Sequence, residues 1–352
     1  MHDAANELQE KVRQAHASET PLRIVGGDTK AFYGRAGEGE ELSLRDHRDV
    51  VSYEPTELVL TARAGTPLAE IELLLRDNGQ MLPFEPPHFG GGATIGGTIA
   101  CGLSGPRRAY AGAARDFVLG TRILTGDGQW LRFGGEVMKN VAGYDVSRLM
   151  CGSLGTLGVI GEVSLKVLPA PAAELTLALD LSPAEAMDTA SAWAGKPLPI
   201  SATCHDGERF YVRLSGATTA VTAARRRLGG EVREDDAQLW ERVREQRHGF
   251  FSGDGPLWRL ALPAGTPLLD LAGKWLLEWG GSQRWLRSPC STTDIRDAAQ
   301  RNGGHATLFR GGDRTSEVFQ PLPAPLDQLQ RRLKAQFDPR GILNAGRLYL
   351  AW

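Results

Sequence analysis

The chain has few cysteines, and they are widely spaced. Its 352 residues contain Cys101, Cys151, Cys204 and Cys290, without a C-x-x-C pair. That spacing excludes a disulfide scaffold and the usual ligand pattern of an iron–sulfur cluster. We therefore expect reduced thiols in a cytoplasmic protein.

Signals for secretion and for membrane insertion are also missing. The first residues, MHDAANELQEKVRQAH, are charged and lack the apolar core of a signal peptide. No segment approaches the ~20 apolar residues that a membrane-spanning helix needs. The net charge is −2 at pH 7, so no basic excess indicates binding to nucleic acid or to an anionic membrane. We expect a cytoplasmic protein that reaches a membrane only through partners.

Several common catalytic and nucleotide-binding motifs are absent. No G-x-G-x-x-G opens a helix after a strand and no loop ends in GK[ST], which argues against Rossmann and Walker nucleotide sites. The lack of G-x-S-x-G and of a Cys/His pair argues against covalent hydrolysis. His47, His205 and His248 show no metal-ligand spacing, and H-E-x-x-H does not occur, so we predict no metal site.

Glycine, in contrast, is abundant. It makes up 43 of the 352 residues, against a usual ~7%, and it is densest between residues 93 and 169. Glycines at strand ends and tight turns let backbone N–H groups approach a ligand with no Cβ in the way. Such amides suit an anionic cofactor, above all a pyrophosphate.

Three glycine-rich segments and a C-terminal segment carry the pattern. Residues 25–30, VGGDTK, follow a predicted strand at 22–25. Residues 93–98, ATIGGT, are extended by Gly102, Ser104 and Gly105, and GSLGTLG follows at 152–158. Between them, TGDG at 125–128 predicts a hairpin. The chain then closes with FDPRGILNAGR at 337–347.

In this order, the segments resemble the FAD-binding domain of the vanillyl-alcohol-oxidase/p-cresol-methylhydroxylase (PCMH-type) flavoproteins. Within that family they are most similar to the FAD-binding E subunits of bacterial glycolate oxidase (glycolate dehydrogenase). The resemblance implies an α+β fold: a PCMH-type FAD-binding domain of two α+β subdomains, then a smaller α+β cap domain with an antiparallel sheet. It implies an FAD-binding domain at 1–170, a cap or substrate-side domain at 171–325, and a C-terminal segment at 326–352 that returns to the first domain.

The resemblance also implies non-covalent FAD and a set of residues that hold it. Asp28 stands where a third glycine is common in the family, so its side chain should point away from phosphate or cap a turn. His88 is expected to be a loop histidine without a bond to flavin, and Lys139 and Asn140 either approach the cofactor or stabilise a turn. The predicted cofactor-binding residues are Gly26, Gly27, Asp28, Thr29, Lys30, Thr94, Ile95, Gly96, Gly97, Gly102, Ser104, Gly105, Gly152, Gly155, Thr156, Gly158, Ile160 and Asn344.

The implied function is that of the FAD-binding subunit of a glycolate oxidase complex. Such a complex contains a second FAD-containing catalytic subunit and an iron–sulfur subunit. It oxidises glycolate to glyoxylate and passes the electrons via flavin to the iron–sulfur subunit, and it would lie peripherally at the inner face of the cell membrane.

Oxidising a 2-hydroxy acid needs a cation for the carboxylate and a base for the hydroxyl proton. His305 and Arg310, on a predicted strand, are candidates for these catalytic roles, and Arg259, Arg284 and Arg287 also lie on or beside predicted strands. A spacing of five residues on a regular strand puts His305 and Arg310 on opposite faces. A structural role for each residue is therefore the competing interpretation.

Two other functions stay open at this point. The chain could be a self-sufficient FAD-dependent 2-hydroxy-acid dehydrogenase, for example for lactate, or a redox-silent assembly subunit. The first is disfavoured because no clear base–arginine constellation is present. A measurement of flavin content distinguishes the redox-silent assembly subunit from the functions that depend on flavin.

The second half of the sequence alternates predicted strands and helices. This order suits an antiparallel sheet covered by helices. The predicted strands are 175–181, 200–204, 210–214, 258–262, 283–286 and 305–310, and the predicted helices are 183–194, 217–228, 268–279 and 292–301.

Overall fold

The computed structural model describes residues 4–135 and 145–352, so the predicted contacts of Lys139 and Asn140 lie outside it. In the described residues the α-helices are α1 (Ala5–Ser18), α2 (Leu68–Asp77), α3 (Ile95–Cys101), α4 (Arg108–Ala111), α5 (Val146–Met150), α6 (Pro183–Ala194), α7 (Thr218–Leu228), α8 (Asp236–Arg244), α9 (Thr292–Arg301) and α10 (Ala324–Phe337). The strands are β1 (Leu22–Val25), β2 (Glu40–Ser43), β3 (Val50–Glu54), β4 (Val59–Arg63), β5 (Gln80–Met81), β6 (Val118–Leu124), β7 (Trp130–Gly134), β8 (Val159–Lys166), β9 (Leu168–Pro169), β10 (Ala173–Leu179), β11 (Ile200–His205), β12 (Phe210–Gly216), β13 (Glu231–Val232), β14 (Leu257–Ala261), β15 (Lys274–Glu278), β16 (Gln283–Arg287) and β17 (His305–Arg310).

The chain divides into two compact units. The first unit comprises Met1–Leu103, Ala113–Pro169 and Arg314–Trp352, and the second comprises Ser104–Gly112 and Ala170–Asp313. The chain thus leaves the first unit twice, once for a short excursion and once for a long one. The final return begins at Arg314, ahead of the boundary at 326 that the sequence predicts.

The first unit is built on a five-stranded antiparallel sheet with the order β3-β4-β8-β6-β7. The TGDG turn joins β6 to β7, and the amide of Thr125 donates to the Gln129 carbonyl at 3.0 Å, so the predicted hairpin is confirmed. Helix α2 contributes Leu68, Ile71 and Leu75 to the core, each fully buried. Because these positions repeat every three to four residues, a single face of the helix is apolar.

A second, small sheet of the first unit joins the two ends of the chain. Strands β1 and β2 are parallel, and residues 342–344 run parallel to β1 on its other side. The amide of Leu22 donates to the Ile342 carbonyl at 2.7 Å, and the amide of Asn344 donates to the Leu22 carbonyl at 2.9 Å. The C-terminal segment is therefore part of the first unit by backbone pairing as well as by side-chain contacts.

The second unit is an eight-stranded antiparallel sheet in the order β13-β10-β12-β11-β15-β16-β14-β17. Its hydrophobic core includes Leu177 and Val212 from the sheet, with Ala190 from α6 and Val221 from α7. Helices α6 and α7 thus pack against this sheet. Together the two units give the α+β fold class that the sequence predicts.

One predicted element of the second unit is wrong. Residues 268–279 are not a helix, because Lys274–Glu278 forms β15, which pairs with β11 and β16. Leu276, Leu277 and Glu278 are all buried, so both faces of this strand lie inside the protein. The sequence of a strand that is buried on both faces is a short, continuous apolar run, and its periodicity does not distinguish it from a segment of a buried helix.

Candidate functional site

A cavity of about 400 Å³ lies in the first unit, where the glycine-rich segments meet. Its volume is in the range of small-molecule and cofactor sites. The wall is formed by the loop after β1, by the start and end of α3, by the loop before β8, and by the C-terminal segment. The lining residues are Arg23, Ile24, Val25, Gly26, Gly27, Asp28, Thr29, Lys30, Ala31, Ala36, Gly37, Leu44, Ala64, Thr94, Gly96, Gly97, Ala100, Cys101, Leu154, Gly155, Gly158, Ile160, Asn344 and Arg347.

The loop after β1, which contains Gly26 and Gly27, packs directly against the loop that precedes α3. A Cβ on Gly27 would lie 1.5 Å from the carbonyl oxygen of Gly92, and a Cβ on Gly26 would lie 2.4 Å from Thr94 Oγ1. Neither position therefore has room for a side chain. At the neighbouring Gly96, a Cβ would come within 2.5 Å of the Ala64 Cβ. The glycines allow three stretches of backbone to converge on one wall of the cavity.

Asp28 has the backbone conformation of a glycine. Its φ is 59°, in the left-handed region that glycine adopts readily and aspartate tolerates. Its carboxylate lies 3.7 Å from the Arg23 guanidinium, and Arg23 also forms an ion pair with Glu41 at 2.6 Å. The side chain is thus partly neutralised by a cation of the same wall, which lessens its repulsion of an anion.

Asn344 connects three segments of the cavity wall. Its Oδ1 accepts from the Ile24 amide at 2.8 Å, and its Nδ2 donates to the Leu154 carbonyl at 2.6 Å. The residue is 5% exposed and has a φ of 43°. A Cβ on Gly155 would lie 2.8 Å from the same Nδ2, so glycine is required where this amide passes. A single side chain thus fixes β1, the 152–158 loop and the C-terminal segment relative to one another.

The cavity wall carries more positive than negative charge. Arg23, Lys30 and Arg347 line it together with a single acidic residue, Asp28. Lys30 is 7% exposed, and its Nζ donates to the His88 carbonyl at 3.2 Å. Burial lowers the pKa of Arg347, although the guanidinium still stays charged at neutral pH. Backbone without side chains and a surplus of cations, of which Lys30 is buried, suit an anionic, elongated ligand, and they fit FAD with its pyrophosphate.

Most of the predicted cofactor residues meet at this cavity. Those in its wall are Gly26, Gly27, Asp28, Thr29, Lys30, Thr94, Gly96, Gly97, Gly155, Gly158, Ile160 and Asn344. Sequence reasoning missed Arg23, Cys101 and Arg347, which also line it. Arg347 closes the motif that contains Asn344, so the motif itself was a signal that could have identified it.

Six predicted residues lie elsewhere. Ile95 and Thr156 are fully buried behind the wall, and Gly102 and Gly152 pack against each other, since a Cβ on Gly102 would lie 3.0 Å from Gly152. Ser104 and Gly105 belong to the second unit, where the Gly105 carbonyl accepts from Trp279 Nε1 at 3.1 Å. The glycine pattern of the sequence continues past the point at which the chain leaves the first unit.

His305 and Arg310 are not brought together. They are the first and last residues of β17, and five strand steps separate their Cα atoms by roughly 17 Å. Arg310 donates through Nε to Gln246 Oε1 at 2.8 Å. Arg284 donates to the carbonyls of residues 266, 267 and 281, and Arg287 donates to those of residues 250, 251 and 255. Arg284 and Arg287 therefore hold loops of the second unit in place.

The thiols and the histidine near the cavity are not poised for nucleophilic attack. Burial raises the pKa of Cys101, and it raises the pKa of Cys151 to about 12, so both stay protonated thiols at neutral pH. His88 Nε2 lies 3.0 Å from Glu72 Oε2. This ring is oriented by a carboxylate of α2 and is not part of the cavity wall.

Comparison with known proteins identifies the family. Residues 3–134 match the FAD binding domain family. The chain is 53% identical to glycolate oxidase subunit GlcE of Escherichia coli strain K12 over 347 residues, which span 99% of this chain and 98% of that protein. The chain belongs to the GlcE family. It is an FAD-dependent oxidoreductase, and FAD is its cofactor.

More distant relatives share part of the chain or the fold. D-2-hydroxyglutarate dehydrogenase of Xanthomonas citri pv. viticola is 33% identical over 180 residues, which cover 50% of this chain and 38% of that protein. The structure of p-cresol methylhydroxylase with substrate bound superimposes with a TM-score of 0.73 at 14% identity, covering 98% of this chain and 88% of that one. The structural likeness establishes the PCMH-type fold of this GlcE-family chain.

Two features are absent from the part of the chain that the structure describes. None of its helices combines the length and the apolar character needed to cross a bilayer. Among the same residues, no group of three or more His, Cys, Asp or Glu side chains is arranged to hold a metal ion.

Proposed function

We propose that this chain is the FAD-binding subunit of a glycolate oxidase complex that oxidises glycolate to glyoxylate. One observation carries the proposal: the cavity of glycine backbone and cationic side chains lies in a chain that aligns with a glycolate oxidase subunit over 99% of its length at 53% identity. Full-length alignment matters because both units, and not the cofactor domain alone, are shared with that protein.

The cavity residues would hold the cofactor without a covalent bond. Gly26, Gly27, Gly96 and Gly97 present backbone to the pyrophosphate, while Lys30 and Arg347 compensate its charge. Apolar side chains of the same wall exclude water from the site, among them Ile24, Leu44 and Ile160. When bound, FAD supplies the two-electron acceptor that oxidation of a 2-hydroxy acid requires.

The proposed partners are a second FAD-containing catalytic subunit and an iron–sulfur subunit that receives the electrons. The name of the Escherichia coli relative, a subunit of glycolate oxidase, supports assembly with other chains. A protein called glycolate oxidase subunit GlcD, from Bacillus subtilis, is also related, at 25% identity over 374 residues. We propose a cytoplasmic location, with membrane contact only through these partners.

A self-sufficient lactate dehydrogenase is supported less well. D-lactate dehydrogenase of Anaerostipes hadrus matches at 29% identity over 176 residues, only 49% of this chain and 37% of that protein. The His305 and Arg310 positions also offer no joint site for a hydroxy acid, since they lie at opposite ends of β17.

The test is an anaerobic visible spectrum of the purified chain before and after addition of glycolate. A flavin band near ~450 nm in the protein as purified is expected, because FAD is held by the cavity. Bleaching by glycolate would locate the oxidation on this chain, and an unchanged band would locate it on a partner subunit. Copurification with both partners, followed by glyoxylate formation, tests the complex. Absence of flavin, even after incubation with FAD, would contradict the proposal.

A further inference from the structure

Lys334 is a buried lysine next to the cavity but outside its wall. It lies in the last turn of α10 and is 7% exposed. Its ammonium group donates three hydrogen bonds: to the Thr156 carbonyl at 2.8 Å, to the Leu343 carbonyl at 2.9 Å, and to Asp338 Oδ2 at 2.6 Å. An ammonium group has three donors, so all of them are used.

Asp338 completes the arrangement from the other side. It is 1% exposed, its Oδ1 accepts from the Ile342 amide at 3.1 Å, and its Oδ2 accepts from the Leu343 amide at 2.8 Å. A Cβ on Gly126 would lie 2.3 Å from Asp338 Oδ1, so the hairpin between β6 and β7 leaves no room for this carboxylate to move. The carboxylate and Lys334 together fix the backbone of residues 342 and 343.

Both peptides that Lys334 holds are adjacent to residues of the cavity wall. Thr156 follows Gly155, and Leu343 precedes Asn344. Asn344 in turn holds the Ile24 amide and the Leu154 carbonyl. The hydrogen bonds of Lys334 and Asn344, joined by the peptide bond between Leu343 and Asn344, therefore connect α10 to the 152–158 loop and to the end of β1.

Stability alone is a poor explanation for this ion pair. Burial lowers the pKa of Lys334, against the opposing effect of Asp338, which reflects the free-energy cost of removing the ammonium group from water. Apolar residues of similar volume often stabilise a core as well as a buried ion pair does. The three hydrogen bonds of Lys334 do what an apolar side chain cannot, since they fix two carbonyl groups in specific positions.

We propose that Lys334 is a positioning residue of the cofactor site, which sets the separation of the 152–158 loop and the C-terminal segment to the width that FAD requires. This inference rests on the proposed function, because it assumes that the cavity binds FAD. It assigns to α10, which contributes nothing to the cavity wall, control over the affinity of the site.

The test compares Lys334→Met with Arg213→Met. Methionine is unbranched like lysine and one heavy atom shorter, and it donates no hydrogen bond. Arg213 is 6% exposed, lies 3.6 Å from Glu174 within the second unit and does not line the cavity, so its loss should affect stability alone. Apoprotein of each variant is titrated with FAD, following flavin fluorescence and visible circular dichroism, and its urea unfolding is measured separately.

For Lys334→Met we expect the Kd of FAD to rise about tenfold or more, with a changed visible circular dichroism of the bound flavin, because two carbonyl groups lose their fixed positions. Arg213→Met should lower the unfolding midpoint and leave the Kd within about threefold of wild type. An unchanged Kd in Lys334→Met, or equal weakening in both variants, would overturn the inference.

If Lys334→Met does not fold, Lys334→Arg takes its place. A planar guanidinium keeps the charge but does not reproduce three donors around one nitrogen. A raised Kd with a wild-type unfolding midpoint supports the inference, and an unchanged Kd overturns it. Wild-type protein that binds no FAD would contradict the proposed function, and this inference with it. Wild-type binding together with unaffected variants would contradict the inference alone.

Discussion

Replacing Gly27 with alanine should open the cofactor cavity. The added Cβ would lie 1.5 Å from the Gly92 carbonyl oxygen and 2.4 Å from its carbonyl carbon, whereas ordinary contacts begin near 3.4 Å. The two loops would have to separate by roughly 2 Å, since both partners are backbone and neither can rotate away.

The expected cost follows from that overlap. Overpacking of this kind typically costs about 1–3 kcal/mol, and a loss of about 2 kcal/mol in FAD binding corresponds to a Kd about 30-fold higher. Gly91→Ala is the matched control. Gly91 lies next to Gly92, in the loop that Gly27 packs against, but a Cβ on Gly91 would have nothing within 4 Å. We expect the control to bind FAD within about twofold of wild type.

The assay is titration of the apoproteins with FAD, followed by flavin fluorescence, with thermal unfolding of each apoprotein in parallel. Unfolding shows whether a weaker site reflects global destabilisation. Wild-type affinity in Gly27→Ala would refute the close packing of the two loops. An equal loss in Gly91→Ala would show that any substitution in this region disturbs the site.

Three further outcomes are expected. Asn344→Ala should lower the free energy of unfolding by about 1–3 kcal/mol, measured by urea denaturation, because the buried Ile24 amide and Leu154 carbonyl lose their partner; Asn344→Asp should keep only the first bond, and no loss in the alanine variant would contradict the role of this side chain. Burial lowers the pKa of His248 in the folded chain. As the pH falls, His248 is therefore protonated at a higher pH in the unfolded chain than in the folded chain. The free energy of unfolding should decrease as the pH drops through about 6.5, and it should level off below the pKa of His248 in the folded chain. Urea denaturation between pH 7.5 and 5.5 measures it, and its change with pH should be smaller in His248→Asn than in wild type. Cys101 should react slowly with iodoacetamide at neutral pH, because burial raises its pKa, and more slowly still with FAD present; mass spectrometry of the alkylated site decides this, and rapid labelling that FAD does not affect would place the thiol outside the wall.

Local patterns predicted much of the fold. The buried residues of α1, Ala5, Leu8, Val12 and Ala15, are the four that the helical spacing indicates. The start of α2 is less clear from the sequence, because Thr66 before Pro67 is typical of a helix cap. Its Oγ1 instead accepts from the Asp49 amide at 3.0 Å and donates to the Arg63 carbonyl at 2.7 Å. A tertiary contact thus competes with a local cap, and only the folded chain shows which one forms.

For the site, the sequence indicated the loops better than the individual side chains. Glycines at 26, 27 and 96 mark the wall because a Cβ at each would lie within 2.5 Å of a neighbouring atom, which leaves room only for glycine. Arg347 could have been identified from the motif that it closes, but Arg23 gave no local signal, since its proximity to Arg347 depends on the pairing of residues 342–344 with β1. Lys334 gave none at all, because a lysine in the last turn of an amphipathic helix is normally exposed.

The wall of the cavity draws on both ends of the chain, from Arg23 to Arg347. A ribosome releases these residues in order, so a nascent chain that has completed β8 still lacks Asn344 and Arg347. The second unit ends at Asp313 and is therefore complete earlier in synthesis than the flavin site, which needs Asn344 and Arg347. The full wall of the cavity therefore exists only after Asn344 and Arg347 have been added, and a chain that ended before Asn344 would lack part of it.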